Sequence, residues 1–190
     1  MRYPTGIKKG QCTSINHINR GMGLEYDINQ TNEYYRCHGI AVIHKKPTPI
    51  TIVRVDYPSR REAVIKEAYF STPSTTDYNG IYKGRYIDFE AKETKKEYFP
   101  LNNIHDHQVE HLKNIIKLDG IGFIIVSFTK LNKVYLLEAY KLIDFINNEK
   151  RKSIPLSYFE QEGYVVKVNY HPRLDYLKII DDIYFKGEKL

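Results

Sequence analysis

The chain has 190 residues, enough for one compact domain with a sizeable core, and its 42% hydrophobic and 27% charged residues exclude a disordered or collagen-like chain. Lys and Arg outnumber Asp and Glu by 29 to 23, a formal charge of +6 that favours a polyanionic partner without naming one. No run reaches the roughly 18 apolar residues of a membrane span, the N-terminus lacks the apolar stretch of a signal peptide, and Cys12 and Cys37 have neither CxxC spacing nor a companion His cluster. The expectation is a soluble cytoplasmic protein with free thiols, no membrane association and no zinc site.

Residues 1–20 carry Arg2, Lys8, Lys9 and Arg20 with no acid and little apolar periodicity, which predicts a mobile basic arm. Leu24, Ile28 and Tyr35 recur at helical intervals and predict a first helix over Leu24–Tyr35, ended by Gly39. The apolar run Ile40–His44 predicts a strand, after which Lys46-Pro47-Thr48-Pro49 imposes an extended or turning path. In Ile52–Tyr57, Val53, Val55 and Tyr57 alternate with Arg54 and Asp56, the period of a half-buried strand, and Pro58-Ser59-Arg60-Arg61 is its terminating turn. Residues 45–70 hold six bases against three acids and could project as an insertion between core strands.

Residues 77–92 read as a hairpin, Asp77–Tyr82 and Arg85–Lys92 joined at Lys83-Gly84, where glycine admits positive φ. Ile104, Gln108, Leu112 and Ile115 share one face of a helix that Gly120 closes. Gly122–Phe128 and Lys133–Leu137 predict strands, Ala139–Asn148 a helix, Tyr164–Val168 a strand and Asp175–Tyr184 a last helix. This order predicts a single α/β domain, a mixed sheet flanked by helices.

Within the hairpin, Tyr86, Asp88, Glu90 and Lys92 point to one face of the strand and Ile87, Phe89 and Ala91 to the other. Two carboxylates and a lysine beside an aromatic core are costly unless a cation or solvent compensates them. The plain reading of an isolated D-x-E-x-K is a solvated face laced with ion pairs. The pattern gains meaning from Asp77, thirteen residues before Glu90, which the partner strand can bring beside it. Asp77 and Glu90 together suit magnesium, which prefers hard oxygen ligands, keeps several waters, polarises a phosphoryl oxygen and activates water for in-line attack. Lys92 would then meet the negative charge that develops in the transition state.

Gln108 is turned inward by Ile104 and Leu112, so its amide either satisfies a backbone group or helps fix a water at the edge of the site. Glu25 either favours the first helix dipole or adds a metal ligand. His105, His107 and His111 are spaced i, i+2, i+6, which does not present three ligands on one helical face, so contacts with solvent or DNA phosphate are expected instead.

These residues sit in a wider pattern. The runs Arg20-Gly21-Met22-Gly23-Leu24-Glu25, Ile43-His44-Lys45-Lys46-Pro47-Thr48-Pro49 and Thr72-Pro73-Ser74-Thr75-Thr76-Asp77-Tyr78-Asn79-Gly80 resemble the RecU family of Holliday-junction resolvases. So do Tyr86-Ile87-Asp88-Phe89-Glu90-Ala91-Lys92-Glu93-Thr94, Phe99-Pro100-Leu101-Asn102-Asn103-Ile104-His105-Asp106-His107-Gln108 and Pro172-Arg173-Leu174-Asp175-Tyr176-Leu177, and the likeness runs from about residue 18 to 180. The resemblance implies a restriction-endonuclease-like fold and a homodimeric endonuclease dependent on Mg2+, with Mn2+ able to substitute. Such an enzyme cuts four-way DNA junctions symmetrically in recombination, repair and chromosome segregation. It further implies metal binding at Thr75, Asp77, Glu90 and Gln108, transition-state stabilisation by Lys92, a protruding stalk over about residues 45–74, and modulation of the RecA recombinase. Arg20, Lys45, Lys46, Arg54, Arg60, Arg61 and Lys66 are the expected DNA contacts. The tract Lys95-Lys96-Glu97-Tyr98 is a residue shorter than the family pattern, and the N-terminal arm is short. The rival readings are a nuclease of this fold with another DNA target, and a DNA-binding protein with a vestigial site.

Overall fold

A computed structural model describes residues 23–71 and 75–186. The predicted arm, Arg20 within it, and residues 72–74 of the expected stalk lie outside the described residues. The first element, α1 (Leu24–Cys37), ends as expected at Gly39, whose φ of 65° suits glycine. Strand β1 (Val42–Lys45) follows, then β2 (Ile50–Asp56), β3 (Val64–Phe70), β4 (Tyr78–Tyr82), β5 (Arg85–Thr94) and β6 (Tyr98–Pro100). A turn of 3-10 helix leads into α2 (Asp106–Lys117), followed by β7 (Ile121–Phe128), β8 (Lys133–Glu138) and α3 (Ala139–Asn148). The chain closes with β9 (Ser153–Pro155), α4 (Leu156–Glu162), β10 (Tyr164–Val165) and α5 (Tyr176–Tyr184). Among the described residues no helix is long and apolar enough to cross a membrane.

Six strands form one mixed sheet in the order β1-β4-β5-β7-β8-β10. All neighbours are antiparallel except β5 and β7, which run parallel from Ile87↔Ile121 to Thr94↔Phe128, with α2 in the crossover between them. The run Ile121–Phe128 is nearly continuous in apolar residues because β7 lies centrally and both its faces are covered. On one side Ile87, Phe89 and Phe123 meet Ile28 and Tyr35 of α1 and Tyr176 and Ile180 of α5. Tyr78, Phe89 and Phe123 stack across three neighbouring strands at centroid separations of 4.8 and 4.7 Å. On the other side Ile124 and Val126 share a core with Leu112, Leu142 and Phe159 of α2, α3 and α4. This is the mixed sheet flanked by helices that the element order implied.

The β4–β5 hairpin turns at Lys83 and Gly84 with φ of 46° and 77°, the two positive values of a tight two-residue turn that matches strand twist. Opposite it, Gly80 lies so close to β1 that a Cβ there would fall 2.1 Å from the Val42 carbonyl oxygen. The close approach brings the end of β1 against the residues that precede β4.

Three expectations need correction. The alternation in Ile52–Tyr57 does not mark a half-buried strand, because β2 pairs only with β3 and every residue of both strands is exposed. The period belongs to a strand pair that stands off the sheet with neither face covered. Ile104 precedes α2 rather than belonging to it, and the strand expected over Tyr164–Val168 stops at Val165. The elements beyond those expected from the sequence are β3, which pairs with β2, the 3-10 turn, β6 and β9, which pair with each other, and α4.

The β2–β3 pair closes at its base through Ser71 N–H donating to the Pro49 carbonyl at 3.0 Å. Replacing residues 50–70 by a short Gly/Ser turn should therefore leave stability nearly unchanged, whereas Phe89→Ala, which opens a cavity in the aromatic stack, should cost about 3–5 kcal/mol. Chemical denaturation of the two variants checks the difference; an equal loss would mean that the hairpin is anchored to the core.

Candidate active site

Asp77 immediately precedes β4, and the β4–β5 register, with Tyr78 opposite Phe89, sets Asp77 opposite Glu90. The Asp77 backbone N–H donates to Glu90 Oε2 at 3.1 Å, and the Ala91 N–H donates to Asp77 Oδ2 at 3.4 Å. Lys92, two residues beyond Glu90 on the same strand face, places its ammonium 2.7 Å from Glu90 Oε1. The structure thus brings Asp77, Glu90 and Lys92 together, as the alternation of β5 and the hairpin register require.

The Glu90 carboxyl is fully buried, and its pKa is pushed up to about 7, first by burial, then by the Asp77 carboxyl, with Lys92 pulling the other way. Glu90 Oε1 is buried without a partner in hydrogen-bonding geometry, even though the Lys92 ammonium is close. One lysine does not compensate two adjacent carboxylates, one of them fully buried. A hard divalent cation would compensate them, so the donor set fits magnesium better than it fits closure by protein groups alone. Among the described residues no group of three or more His, Cys, Asp and Glu side chains is placed to hold a metal ion.

The other residues singled out from the sequence are dispersed. Thr75 is partly exposed on the segment leading into Asp77. Gln108 is buried, and its Oε1 accepts the His105 backbone N–H at 3.0 Å, capping α2. Its carbonyl therefore does the backbone-satisfying job that was one of the two readings of an inward glutamine. Glu25 is exposed, pairs with Lys45 at 2.6 Å, and lines a cavity of about 200 Å³ together with Asp77, Ala91 and Glu93.

Lys45 is thus held by Glu25, and Lys46 is drawn inside onto Asp88 at 2.7 Å instead of lying open to DNA. Arg54, Arg60 and Arg61 are exposed on the β2–β3 hairpin with no ion-pair partner among the described residues, and Lys66 there pairs loosely with Asp56 at 3.6 Å. His111 departs from the expected solvent or phosphate contact, since its Nε2 lies 3.1 Å from Asp88 Oδ2.

Two acids carry roles that sequence reasoning missed. Glu93 accepts the Leu24 backbone N–H at 2.5 Å and so caps α1, whose own cap residue, Gly23, has no side chain to do so. The absent cap was the available signal. Asp88 is fully buried and gathers Lys46, Thr76 and Tyr86 by hydrogen bonds. Nothing in its local sequence distinguished it from Glu90.

With the fold and site described, comparison with known proteins is informative. The family model for Recombination protein U, RecU, matches residues 19–182. A Holliday junction resolvase RecU from Bacillus cytotoxicus is 52% identical over 97% of this chain and 98% of its own length. One from a Geobacillus species is 58% identical over 90% of this chain and 87% of its own. Among solved structures, the Holliday junction resolvase Hjc of Archaeoglobus fulgidus aligns with a TM-score of 0.46 at 12% identity, covering 75% of this chain and 95% of that one. On the family match across 19–182 and the identity to full-length relatives, the chain belongs to the RecU family.

Proposed function

We propose that this protein is a Holliday-junction resolvase, a divalent-metal-dependent endonuclease that introduces paired, symmetric nicks into four-way DNA junctions during recombination, repair and chromosome segregation. The observation that carries the reading is the convergence of Asp77, Glu90 and Lys92 on two inner strands of the mixed sheet in a chain of the RecU family. Asp77 and Glu90 would hold Mg2+, or Mn2+ in its place, with Thr75 and Gln108 as further contributors. The cation supplies polarisation of the scissile phosphoryl group and a lowered pKa for attacking water.

The chain's own residues set the rest. Glu90 is confined by β5 and receives the Asp77 amide, so the two carboxylates share one register and are aimed together. Lys92, partly exposed at the mouth of the site, would give its ammonium to the charge that builds on the phosphoryl oxygens, exchanging its ion pair with Glu90 for the transition state. Arg54, Arg60 and Arg61, uncommitted on the protruding hairpin, suit phosphate contacts that position a branched substrate. Two cuts related by symmetry call for two copies of the site, which a two-fold homodimer provides. Branched chromosomal DNA is thus the principal partner, RecA a second one, and the bacterial cytoplasm the place of action.

On synthetic substrates, cleavage of a four-way junction but not of a linear duplex is expected; equal cutting of both would defeat the resolvase reading. Asp77→Asn should abolish cutting while junction binding in chelator survives, and Lys92→Met should lower kcat by about 10²–10³. If the unsubstituted protein never cuts with Mg2+ or Mn2+, a DNA-binding role replaces the enzymatic one. Replacing Arg54, Arg60 and Arg61 by Ala should weaken junction binding and flatten its salt dependence, by about one unit of slope for each phosphate no longer neutralised. An unchanged slope removes the hairpin from the DNA footprint.

The Glu90 carboxyl also sets a pH dependence. Its folded pKa lies above the ordinary 4.5, so the native state holds the proton more tightly than the unfolded chain. Metal-free stability should fall as pH rises from about 4.5 to about 7, and Glu90→Gln should remove that component. Because Mg2+ needs the ionised pair, its stabilising effect should be larger at about pH 8 than at about pH 5. Thermal melts with and without chelator test this, and equal Mg2+ effects at the two pH values would contradict it.

A further inference from the structure

We propose that Asp88 is a positioning residue whose buried carboxylate clamps the two chain segments holding Asp77, and so aims Asp77 at Glu90. The importance of Asp77 rests on the nuclease reading above; the clamp itself is a claim about the metal-free protein.

Asp77 needs such a hold. It lies outside β4, where no ladder bond fixes it on both sides, and its carboxylate is crowded against that of Glu90. Like charges push apart, and the bond from the Ala91 N–H to Asp77 Oδ2, at 3.4 Å, is a long one to hold the carboxylate against that repulsion. Two segments that meet at Asp77, one its covalent neighbour and one bonded to its carbonyl, end on one acid. Thr76, its covalent neighbour, donates its hydroxyl to Asp88 Oδ1. Lys46 donates its backbone N–H to the Asp77 carbonyl at 2.7 Å and its ammonium to Asp88 Oδ2 at 2.7 Å. The same ammonium donates to Thr76 Oγ1 at 3.0 Å, closing a triangle of three side chains beside Asp77.

The far side of Asp88 is also held. Tyr86 donates its hydroxyl to Oδ2 at 2.9 Å and itself accepts from Asn79 Nδ2 at 3.0 Å, while His111 Nε2 of α2 stands 3.1 Å from Oδ2 without hydrogen-bonding geometry. Asp88 has no exposed surface, so its oxygens need the hydrogen bonds that Thr76, Lys46 and Tyr86 supply. A carboxylate that merely filled the core would have no reason to take both its principal partners from the flanks of Asp77. Lys46 is thereby committed to the protein interior and drops out of the basic surface.

Hydrogen exchange in chelator and Mg2+ binding by calorimetry test the clamp on the full chain. Asp88→Asn, nearly isosteric, should speed exchange of the Asp77 and Lys46 amides at least tenfold relative to those of Phe123 and Ile124 in the central strand, and weaken Mg2+ binding about ten- to a hundredfold. Thr76→Val and Lys46→Met should each show part of the effect, and their combination no more than Asp88→Asn alone. Uniform acceleration at all amides, none at Asp77, or unimpaired Mg2+ binding would overturn the proposal. If Asp88→Asn does not fold, Thr76→Val decides by the same two readouts. Junctions left uncut by a protein that still binds Mg2+ through Asp77 would remove the nuclease reading and leave the clamp standing. Cleavage with unimpaired Mg2+ binding in Asp88→Asn would do the reverse.

Discussion

The constraint on which the rest of the structure depends is the forced proximity of two carboxylates, one of them fully buried. The carboxyl groups of Asp77 and Glu90 oppose each other's charge, and burial opposes the charge on Glu90 further. What holds them is backbone. The β4–β5 ladder sets the register, and the tight turn at Lys83-Gly84 fixes that register without slack. The free energy for this comes from the opposite strand face, where Phe89 and Ile87 are fully buried in the aromatic and aliphatic core. An unfavourable electrostatic arrangement is thus stabilised by the same ten-residue strand that creates it.

This division of β5 into an apolar face and a chemical face explains why the strand sits between β4 and β7. On one side it needs an antiparallel neighbour to deliver Asp77. On the other it needs a rigid, fully covered strand, and the parallel pairing with β7 supplies one. The crossover needed for a parallel pair carries α2 onto the chemical face, which is how His111 comes to stand beside Asp88. The site is therefore built from the middle of the sheet outward.

Much of this was legible in the sequence, and the reasons are local. The alternation from Tyr86 to Lys92 and the Lys83-Gly84 turn predicted the hairpin and the pairing of Asp77 with Glu90, because strand period and turn type are short-range properties. The same local logic failed at Ile52–Tyr57, where a correct period was assigned a core that does not exist. Periodicity reports that two faces differ, not that either is covered. It was also silent on Asp88, which bonds Tyr86 two residues away but whose partner Lys46 lies 42 residues away and whose remaining contacts come from Thr76 and His111. Gln108 was read correctly as inward, but its commitment to the His105 amide depends on α2 beginning at Asp106, a boundary that the apolar spacing blurred by including Ile104.

The 2.7 Å bond from the Lys46 amide to the Asp77 carbonyl joins the two points between which the whole β2–β3 excursion is made. For the sheet, that excursion is a closed loop whose ends already touch. The entropy of closing a loop grows only with the logarithm of its length, so doubling it adds roughly 0.6 kcal/mol. Descendants of this chain are therefore free to lengthen, shorten or restyle the projection, while the Asp77–Glu90 register behind it stays the same.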